Sequence, residues 1–384
     1  MVGLAVVAAI ALAVVPPVEQ PGGLGERCIP PATVVEARRP WAQHRLMPER
    51  VWPLTKGAGV TVAVVDTGVD GDVPQLAGRV LPGRDVTSGR GGADDDCVGH
   101  GTFVAGIIAA AQVNGIGFAG VAPEATILPI RQSGDGKDGS ASGLAAGIRA
   151  AVDAGARVIN VSAAAFYTVP ELAAAVDYAT AKDVLIVAAA ANAAQEGNPK
   201  AYPAAYPAVV AVAATGVDGA RGQFSETGDY ISLAAPGVDV LSVGPRGPGH
   251  LAGTGTSYAA PFVAGTAALV RAYHPTLTAA QVKDRLIATA DHPPRTMPDP
   301  QVGWGVVNPY AAVTAVLPET KPRNGPVTIA APAPPKPVEP AVWIALAAAA
   351  GVAVALAGLA GVRQLAPQGR RRGWRPGTTE ETRR

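Results

Sequence analysis

The sequence predicts an α/β domain with a mainly parallel sheet flanked by helices, followed by one C-terminal transmembrane helix. Helix-like and strand-like segments alternate between about residues 56 and 317. In 141–162 an alanine-rich helical pattern precedes the apolar run "ARVINVS", and 171–192 repeats that order. Strands that are apolar on both sides are typical of parallel sheets covered by helices on both faces. We therefore expect three layers.

The composition permits one large domain with appendages. The chain has 384 residues, of which 48% are hydrophobic, so a sizeable core can be buried. The formal net charge of +1 offers no attraction for nucleic acid, and we predict no nucleic-acid partner.

An uncharged apolar run occupies Val2 to Val15 near the start of the chain. It is shorter than the roughly 20 residues that a membrane-spanning helix needs, and it suits the apolar region of a signal peptide. We predict a signal-peptide-like segment over 1–18. A buried N-terminal strand or helix is the alternative.

A second apolar run, Val342 to Val362, contains no charged residue, and it is followed by Arg363, Arg370, Arg371, Arg372 and Arg375. As a helix it would be roughly 31 Å long, close to the hydrocarbon thickness of a bilayer. Positive charge after a span favours the cytoplasmic side. We predict a transmembrane helix with a cytoplasmic tail, which places the preceding domain outside the membrane. A buried core helix is the alternative.

These features divide the chain into six segments. A proline-rich stretch such as "APAPPKPVEP", before the second apolar run, is extended and semi-rigid. The predicted segments are a signal-peptide-like start (1–18), an N-terminal extension packed on the domain (19–55), the main domain (56–317), a proline-rich linker (318–341), the transmembrane helix (342–362) and a basic cytoplasmic tail (363–384).

Three residues along the main domain have the types that nucleophilic catalysis needs. Asp66 ends the run "VAVVDTGVD", His100 lies in "GHGTFVAGIIA", and Ser257 lies in "GTSYAAPFVAG". A serine can attack a carbonyl carbon, a histidine can carry its proton, and an aspartate can hold the imidazole. Taken alone, His100 is more often an ordinary loop or helix-cap residue.

Together, the three motifs and their order resemble the active-site motifs of the subtilases, a family of serine proteases. The resemblance extends to "GWGVVNPYAAV", which is similar to that family's closing segment. It implies a subtilisin-like fold and a serine endopeptidase that cleaves peptide or protein substrates. Asp66, His100 and Ser257 would be its catalytic residues.

The same resemblance implies an oxyanion donor and a substrate cleft. Asn192 follows "VLIVAAAA", where subtilases carry an asparagine that donates to the oxyanion. The alternative is that Asn192 only forms a turn. Family members usually have glycine where this chain has Ala191, and again where it has Ala164. We expect cleft-lining residues at these sites and beside them: Ser162, Ala163, Ala164, Ala190 and Ala191.

The stretch "DDDCVGHGT" sets three carboxylates and a thiol directly before His100. A metal site with Cys97 would need further soft or imidazole ligands, and the chain has only five histidines and two cysteines. In an exported protein Cys97 would pair with Cys28, and two free thiols remain the alternative. Residues 94–96 form either a solvated acidic loop or part of a calcium site. No cofactor is required, and structural calcium stays open.

The whole layout also resembles one subtilase branch, the mycosins, membrane-anchored proteases of type VII secretion systems. The matching features are the signal-like run, the stretch "PWAQHRLMPERVWPLTKGAGVTVAVVDTGVD", the two cysteines, the proline-rich stalk and the single C-terminal span. The resemblance implies a location on the outer face of the membrane, with the type VII secretion membrane complex as partner. It also implies an alternative function, as a mainly structural subunit with weak or restricted protease activity.

Overall fold

The computed structural model describes residues 28–134 and 140–317, and the backbone of 327–328. The described residues all belong to one compact unit, Met1–Ala330. The second unit, Ala331–Arg384, contains no described residue. The predicted segments 1–18, 342–362 and 363–384 therefore also lie outside the described residues. Within the described ranges, no helix has the length and apolar character needed to cross a membrane.

In the described part of the chain, a seven-stranded sheet forms the centre of the domain, and every paired neighbour in it is parallel. Its strands are β1 (Thr61–Asp66), β2 (Arg84–Asp85), β3 (Thr126–Arg131), β4 (Val158–Val161), β5 (Leu185–Ala189), β6 (Val210–Thr215) and β7 (Leu233–Pro236). Their spatial order is β2-β3-β1-β4-β5-β6-β7. The expected mainly parallel sheet is confirmed.

Helices cover both faces of this sheet. In chain order they are α1 (Trp41–Leu46), α2 (His100–Ala109), α3 (Ala141–Asp153), α4 (Pro170–Ala181), α5 (Thr256–Tyr273), α6 (Ala279–Ala288) and α7 (Pro309–Thr314).

Alternating side chains of β1 point into two separate apolar layers, one on each face of the sheet. Val62 and Val64 pack in one buried cluster together with residues of α2 and α5. Ala63 and Val65 pack in a second cluster with residues of α3 and α4. Successive side chains of a strand point to opposite faces, so a strand that is apolar at every position joins both layers. This is why the central strands read as continuous apolar runs.

Two short antiparallel pairs complete the described structure, β8 (Val240–Val243) with β9 (His250–Gly253), and β10 (Thr296–Met297) with β11 (Val327–Thr328). Segment 19–55 shows no clear periodicity in sequence, yet it contains α1 and a 3₁₀ turn at Pro48–Arg50. The indole Nε1–H of Trp41 donates to the carbonyl oxygen of Asp239 over 2.9 Å. Tertiary contacts of this kind hold a short helix that local sequence alone does not specify.

Candidate active site

Three of the predicted site residues follow neighbouring strands of the sheet. Asp66 is the last residue of β1, Ser162 directly follows β4, and Asn192 lies in the loop after β5. Because β1, β4 and β5 are adjacent and parallel, their carboxyl ends meet at one edge. The fold therefore brings these side chains together from distant parts of the chain.

His100 opens α2 and faces Asp66. The imidazole Nδ1 lies 2.7 Å from the Asp66 Oδ1, and the backbone N–H of Thr67 donates to the same oxygen over 2.8 Å. A carboxylate only accepts hydrogen bonds, so the proton of neutral His100 is on Nδ1. That tautomer leaves Nε2 with a free lone pair, which is the state a general base needs.

The surroundings of His100 favour its charged form. Burial by itself lowers the pKa of the imidazole, but the charge of Asp66, the hydrogen bond to Asp66 and the charge of Asp96 outweigh it. The pKa of His100 is therefore raised above its ordinary value of 6.5. The ring of Tyr258 packs beside the imidazole, with ring centroids 5.2 Å apart.

Ser257 is the second residue of α5 and is 8% exposed. Its carbonyl oxygen accepts a 2.8 Å hydrogen bond from the Ser162 hydroxyl, which in turn accepts one from the Asn160 side-chain amide over 2.7 Å. The first N–H groups of a helix lack intrahelical partners and carry a partial positive charge. Ser257 thus lies where backbone donors can meet developing negative charge.

The side-chain amide of Asn192 is oriented by Thr256. Asn192 Oδ1 accepts hydrogen bonds from the Thr256 backbone N–H over 2.9 Å and from the Thr256 hydroxyl over 3.0 Å. Because Thr256 holds the Oδ1 atom, the Nδ2 group of the same amide points away from Thr256. A β-carbon built at Gly255 would lie 3.1 Å from the Ser257 Oγ and 3.5 Å from the Asn192 Nδ2. Both atoms therefore border the same small space.

A cleft with a cavity volume of about 250 Å³ contains these groups. Its lining includes Ser162, Ala163, Ala164 and Ala191, besides Asp66, His100, Asn192 and Ser257.

Ala190 was predicted to line the cleft, but it is not among the residues that do so. Its side chain is fully buried and packs in a separate cluster with Ala213, Ile231 and Ala234. Ala190 directly follows β5, where neighbouring side chains point to opposite faces of the sheet, and its methyl group lies in this core cluster.

Ala191 adopts a backbone conformation that suits glycine. Its φ is +78°, in the left-handed region, where a side chain costs about 1–2 kcal/mol. Its β-carbon lies in a small buried cluster with Ala164 and Ala201. The two alanines found where subtilases usually have glycine thus belong to one packed group beside Asn192.

Residues 94–96 differ in their exposure to solvent. Asp94 and Asp95 are exposed, but Asp96 is only 4% exposed, and its carboxylate accepts hydrogen bonds from Thr67, Val98, Gly99 and Thr102. Sequence reasoning missed this role. The available signal was an acidic residue just before a helix start, where capping residues occur. Among the described residues, no group of three His, Cys, Asp or Glu side chains is arranged to hold a metal ion.

A disulfide joins Cys28 to Cys97, three residues before His100, with Cα atoms 4.4 Å apart. The backbone N–H of Ile29 donates to the Cys97 carbonyl oxygen over 3.0 Å. Further along, the N–H of Gly249 donates to Ala32 and that of His250 donates to Val34. The N-terminal extension therefore runs from the loop before α2 along the edge of β9.

Comparison with known proteins identifies the family. The model of the subtilase family of peptidases matches residues 57–305, more than half of the chain. The chain therefore belongs to the subtilases, which are serine peptidases, and the subtilisin-like α/β fold is confirmed.

The relatives narrow this assignment. Mycosin-1 of Mycolicibacterium smegmatis is 35% identical, with 79% of this chain and 79% of that protein aligned. Mycosin-4 of Mycobacterium tuberculosis is 40% identical, with 74% of this chain and 72% of that protein aligned. The crystal structure of MycP1 from the ESX-1 type VII secretion system superposes with a TM-score of 0.69 at 33% identity, covering 82% of this chain and 97% of that one. Within the subtilases, the chain is thus a member of the mycosin group.

Proposed function

We propose that this protein is a membrane-anchored serine endopeptidase outside the cytoplasm, in which Asp66, His100 and Ser257 form the catalytic triad. The observation that carries the proposal is the 2.7 Å contact between His100 Nδ1 and Asp66 Oδ1 in a cleft that Ser257 also lines. This contact leaves His100 Nε2 free to take the proton of the serine hydroxyl.

In the proposed reaction, the Ser257 Oγ attacks the carbonyl carbon of the scissile bond while His100 Nε2 accepts the hydroxyl proton. His100 then gives this proton to the leaving amine. Water then attacks the acyl carbon while His100 Nε2 accepts a proton from it. The bond between that carbon and the Ser257 Oγ breaks, His100 returns the proton to the Oγ, and the second product leaves as a carboxylic acid. Asp66 stays ionised and stabilises the imidazolium. No cofactor takes part.

Asn192 Nδ2 and the N-terminus of α5 would stabilise the oxyanion. The support is the orientation of the amide by Thr256, which already occupies Oδ1. Removing one such donor typically costs about 3–4 kcal/mol of transition-state stabilisation. Since the donor is held in place before substrate binds, little reorganisation is needed during the reaction.

The anchoring and the partner rest on the sequence and on the relatives. The apolar run 342–362 and the arginines after it support a single span with a cytoplasmic tail. The relatives include MycP1 from the ESX-1 type VII secretion system. We therefore propose that this chain supports a type VII secretion complex and processes a secreted substrate.

A mainly structural role in that complex is the second candidate. It is favoured by Ala164 and Ala191, which line the cleft at positions where subtilases usually have glycine. A narrowed cleft would restrict hydrolysis to few substrates.

Labelling of the full-length chain with a fluorophosphonate tests the catalytic proposal. The Ser257 oxygen displaces fluoride from phosphorus only if a base removes its proton. We expect labelling of the wild type and none of Ser257→Ala. An unlabelled wild type with an intact melting transition would overturn the proposal and leave the structural role.

A secretion assay then separates the two roles. If proteolysis is required, cells carrying Ser257→Ala should secrete as poorly as cells that lack the chain. If the structural role dominates, Ser257→Ala should restore secretion to the deletion strain.

A further inference from the structure

Asp96 is a buried carboxylate that the proposed triad does not include. It is 4% exposed and accepts five hydrogen bonds. The donors to Oδ1 are the Thr67 hydroxyl at 2.9 Å and the backbone N–H groups of Val98 at 3.2 Å and Gly99 at 2.8 Å. The donors to Oδ2 are the N–H of Thr102 at 2.9 Å and its hydroxyl at 2.7 Å.

These bonds connect the two segments that carry the catalytic pair. Thr67 directly follows Asp66 at the end of β1, and Thr102 lies two residues beyond His100 in α2. The Thr67 hydroxyl also accepts the backbone N–H of Gly101 over 3.0 Å. Through Asp96 and Thr67, the end of β1 and the first turn of α2 are therefore held at a set separation.

Helix capping alone does not account for this arrangement. The caps of α3 and α7 are Ser140 and Asn308, and each accepts one backbone hydrogen bond from its own helix. Asp96 accepts from α2 and also from Thr67 on a different element. The additional bond has the effect of joining the helix to the strand that presents Asp66.

Three of the five partners are backbone N–H groups, which can only donate, and they favour the ionised carboxylate. Burial and the nearby charge of Asp66 act in the opposite direction and raise the pKa of Asp96 above its ordinary value. Within the described residues, no ion pair involves Asp96. The titratable groups that face His100 are Asp66 on β1, Asp96 before α2 and Tyr258 on α5.

We propose that Asp96 is a positioning residue, which holds the His100 imidazole against Asp66 and supplies a second negative charge to the site. This inference rests on the proposed peptidase function. The charge favours the imidazolium that forms when Ser257 loses its proton. The bonds to Thr67 and Thr102 set the position of the ring before substrate arrives.

The test compares Asp96→Asn with Asp94→Asn in the full-length chain. Both variants remove one negative charge from the same loop, but Asp94 is exposed to water. The measurement is the rate of fluorophosphonate labelling as a function of pH. In Asp96→Asn we expect labelling to slow about tenfold or more. The labelling rate should rise at a lower pH than in the wild type, because without the negative charge of Asp96 the His100 imidazole loses its proton more easily. Asp94→Asn should match the wild type in both respects.

A second pair of variants covers the case in which Asp96→Asn does not fold. Thr67→Val removes the hydroxyl that links Asp96 to β1 but keeps the charge, and Thr67→Ser keeps both. We expect slower labelling in Thr67→Val with an unshifted pH profile, and recovery in Thr67→Ser.

The outcomes distinguish this inference from the proposed function. A wild type that does not label rejects the peptidase proposal, and this inference with it. If the wild type labels, and Asp96→Asn or Thr67→Val labels at the same rate and with the same pH profile, only the role of Asp96 is rejected.

Discussion

Ser162 donates its hydroxyl hydrogen to the carbonyl oxygen of Ser257 over 2.8 Å. This bond connects the end of β4 to the first turn of α5, and residues from both places line the cleft. Asn160 donates to the same hydroxyl, so the three polar groups form a short buried chain. Ser257, the proposed nucleophile, is thereby held in place by a residue that was expected only to line the cleft.

The Ser162→Ala variant should be both less active and less stable. It leaves the Asn160 side-chain amide and the Ser257 carbonyl without their partner, and an unsatisfied buried group costs about 1–3 kcal/mol. Thermal unfolding and fluorophosphonate labelling measure the two effects. The matched control is Ser142→Ala, an exposed serine on α3. Equal stability of the two variants would contradict the proposed support.

Hydrolysis should increase with pH through the pKa of His100, which lies above its ordinary value of 6.5. The imidazole must be neutral to accept the serine proton, and the Asp66 and Asp96 charges delay its deprotonation. We therefore expect less than half of the maximal kcat/KM at pH 6.5. A profile already at its plateau there would show that burial outweighs the two carboxylates.

Replacing Asn192 by alanine should reduce kcat by about 10²–10³-fold and leave KM nearly unchanged, because the donor acts on charge that exists only in the transition state. Steady-state kinetics on one peptide substrate provide the measurement. Gln195→Ala removes an exposed amide three residues away and serves as the control. A change confined to KM would instead assign Asn192 to substrate binding.

Substitution of Ala164 and Ala191 by glycine should widen the cleft. Both methyl groups belong to the cluster that includes Ala201. Peptides that differ only in the residue before the scissile bond test this, and the double variant should gain most with large side chains. An unchanged order of preference would exclude these methyl groups as the cause of selectivity.

The Ala191→Gly variant by itself should change the free energy of unfolding by less than about 1 kcal/mol. Relief of the left-handed backbone contributes about 1–2 kcal/mol, and loss of a buried methyl group and the greater chain entropy of glycine oppose it. Chemical denaturation measures the difference. A stabilisation of several kcal/mol would mean that the methyl group is strained rather than packed.

The disulfide should stabilise the extension and the loop before α2. It closes a loop with a sequence separation of 69, worth on the order of 4 kcal/mol in the chain-entropy model. Replacing both Cys28 and Cys97 by serine should lower the melting temperature and expose the extension to added protease. Resistance equal to that of the wild type would show that the backbone hydrogen bonds of Ala32 and Val34 suffice.

The sequence by itself determined the layers, the family and the residues proposed as catalytic. Continuous apolar strand runs and alanine-rich helices are local patterns, and the motifs around Asp66, His100 and Ser257 are contiguous, so both can be read without coordinates. The predicted span at 342–362 likewise remains a statement about the sequence.

Only the tertiary structure decided what surrounds those residues. The position of Asp96 just before α2 marks it as a capping candidate, but its burial and its bond to Thr67 arise only when the end of β1 folds against this loop. The inward turn of Ala190 and the shared cluster of Ala164, Ala191 and Ala201 likewise depend on which strands are adjacent. Strand order and register arise from long-range packing, so contacts between distant segments cannot be read from either segment alone.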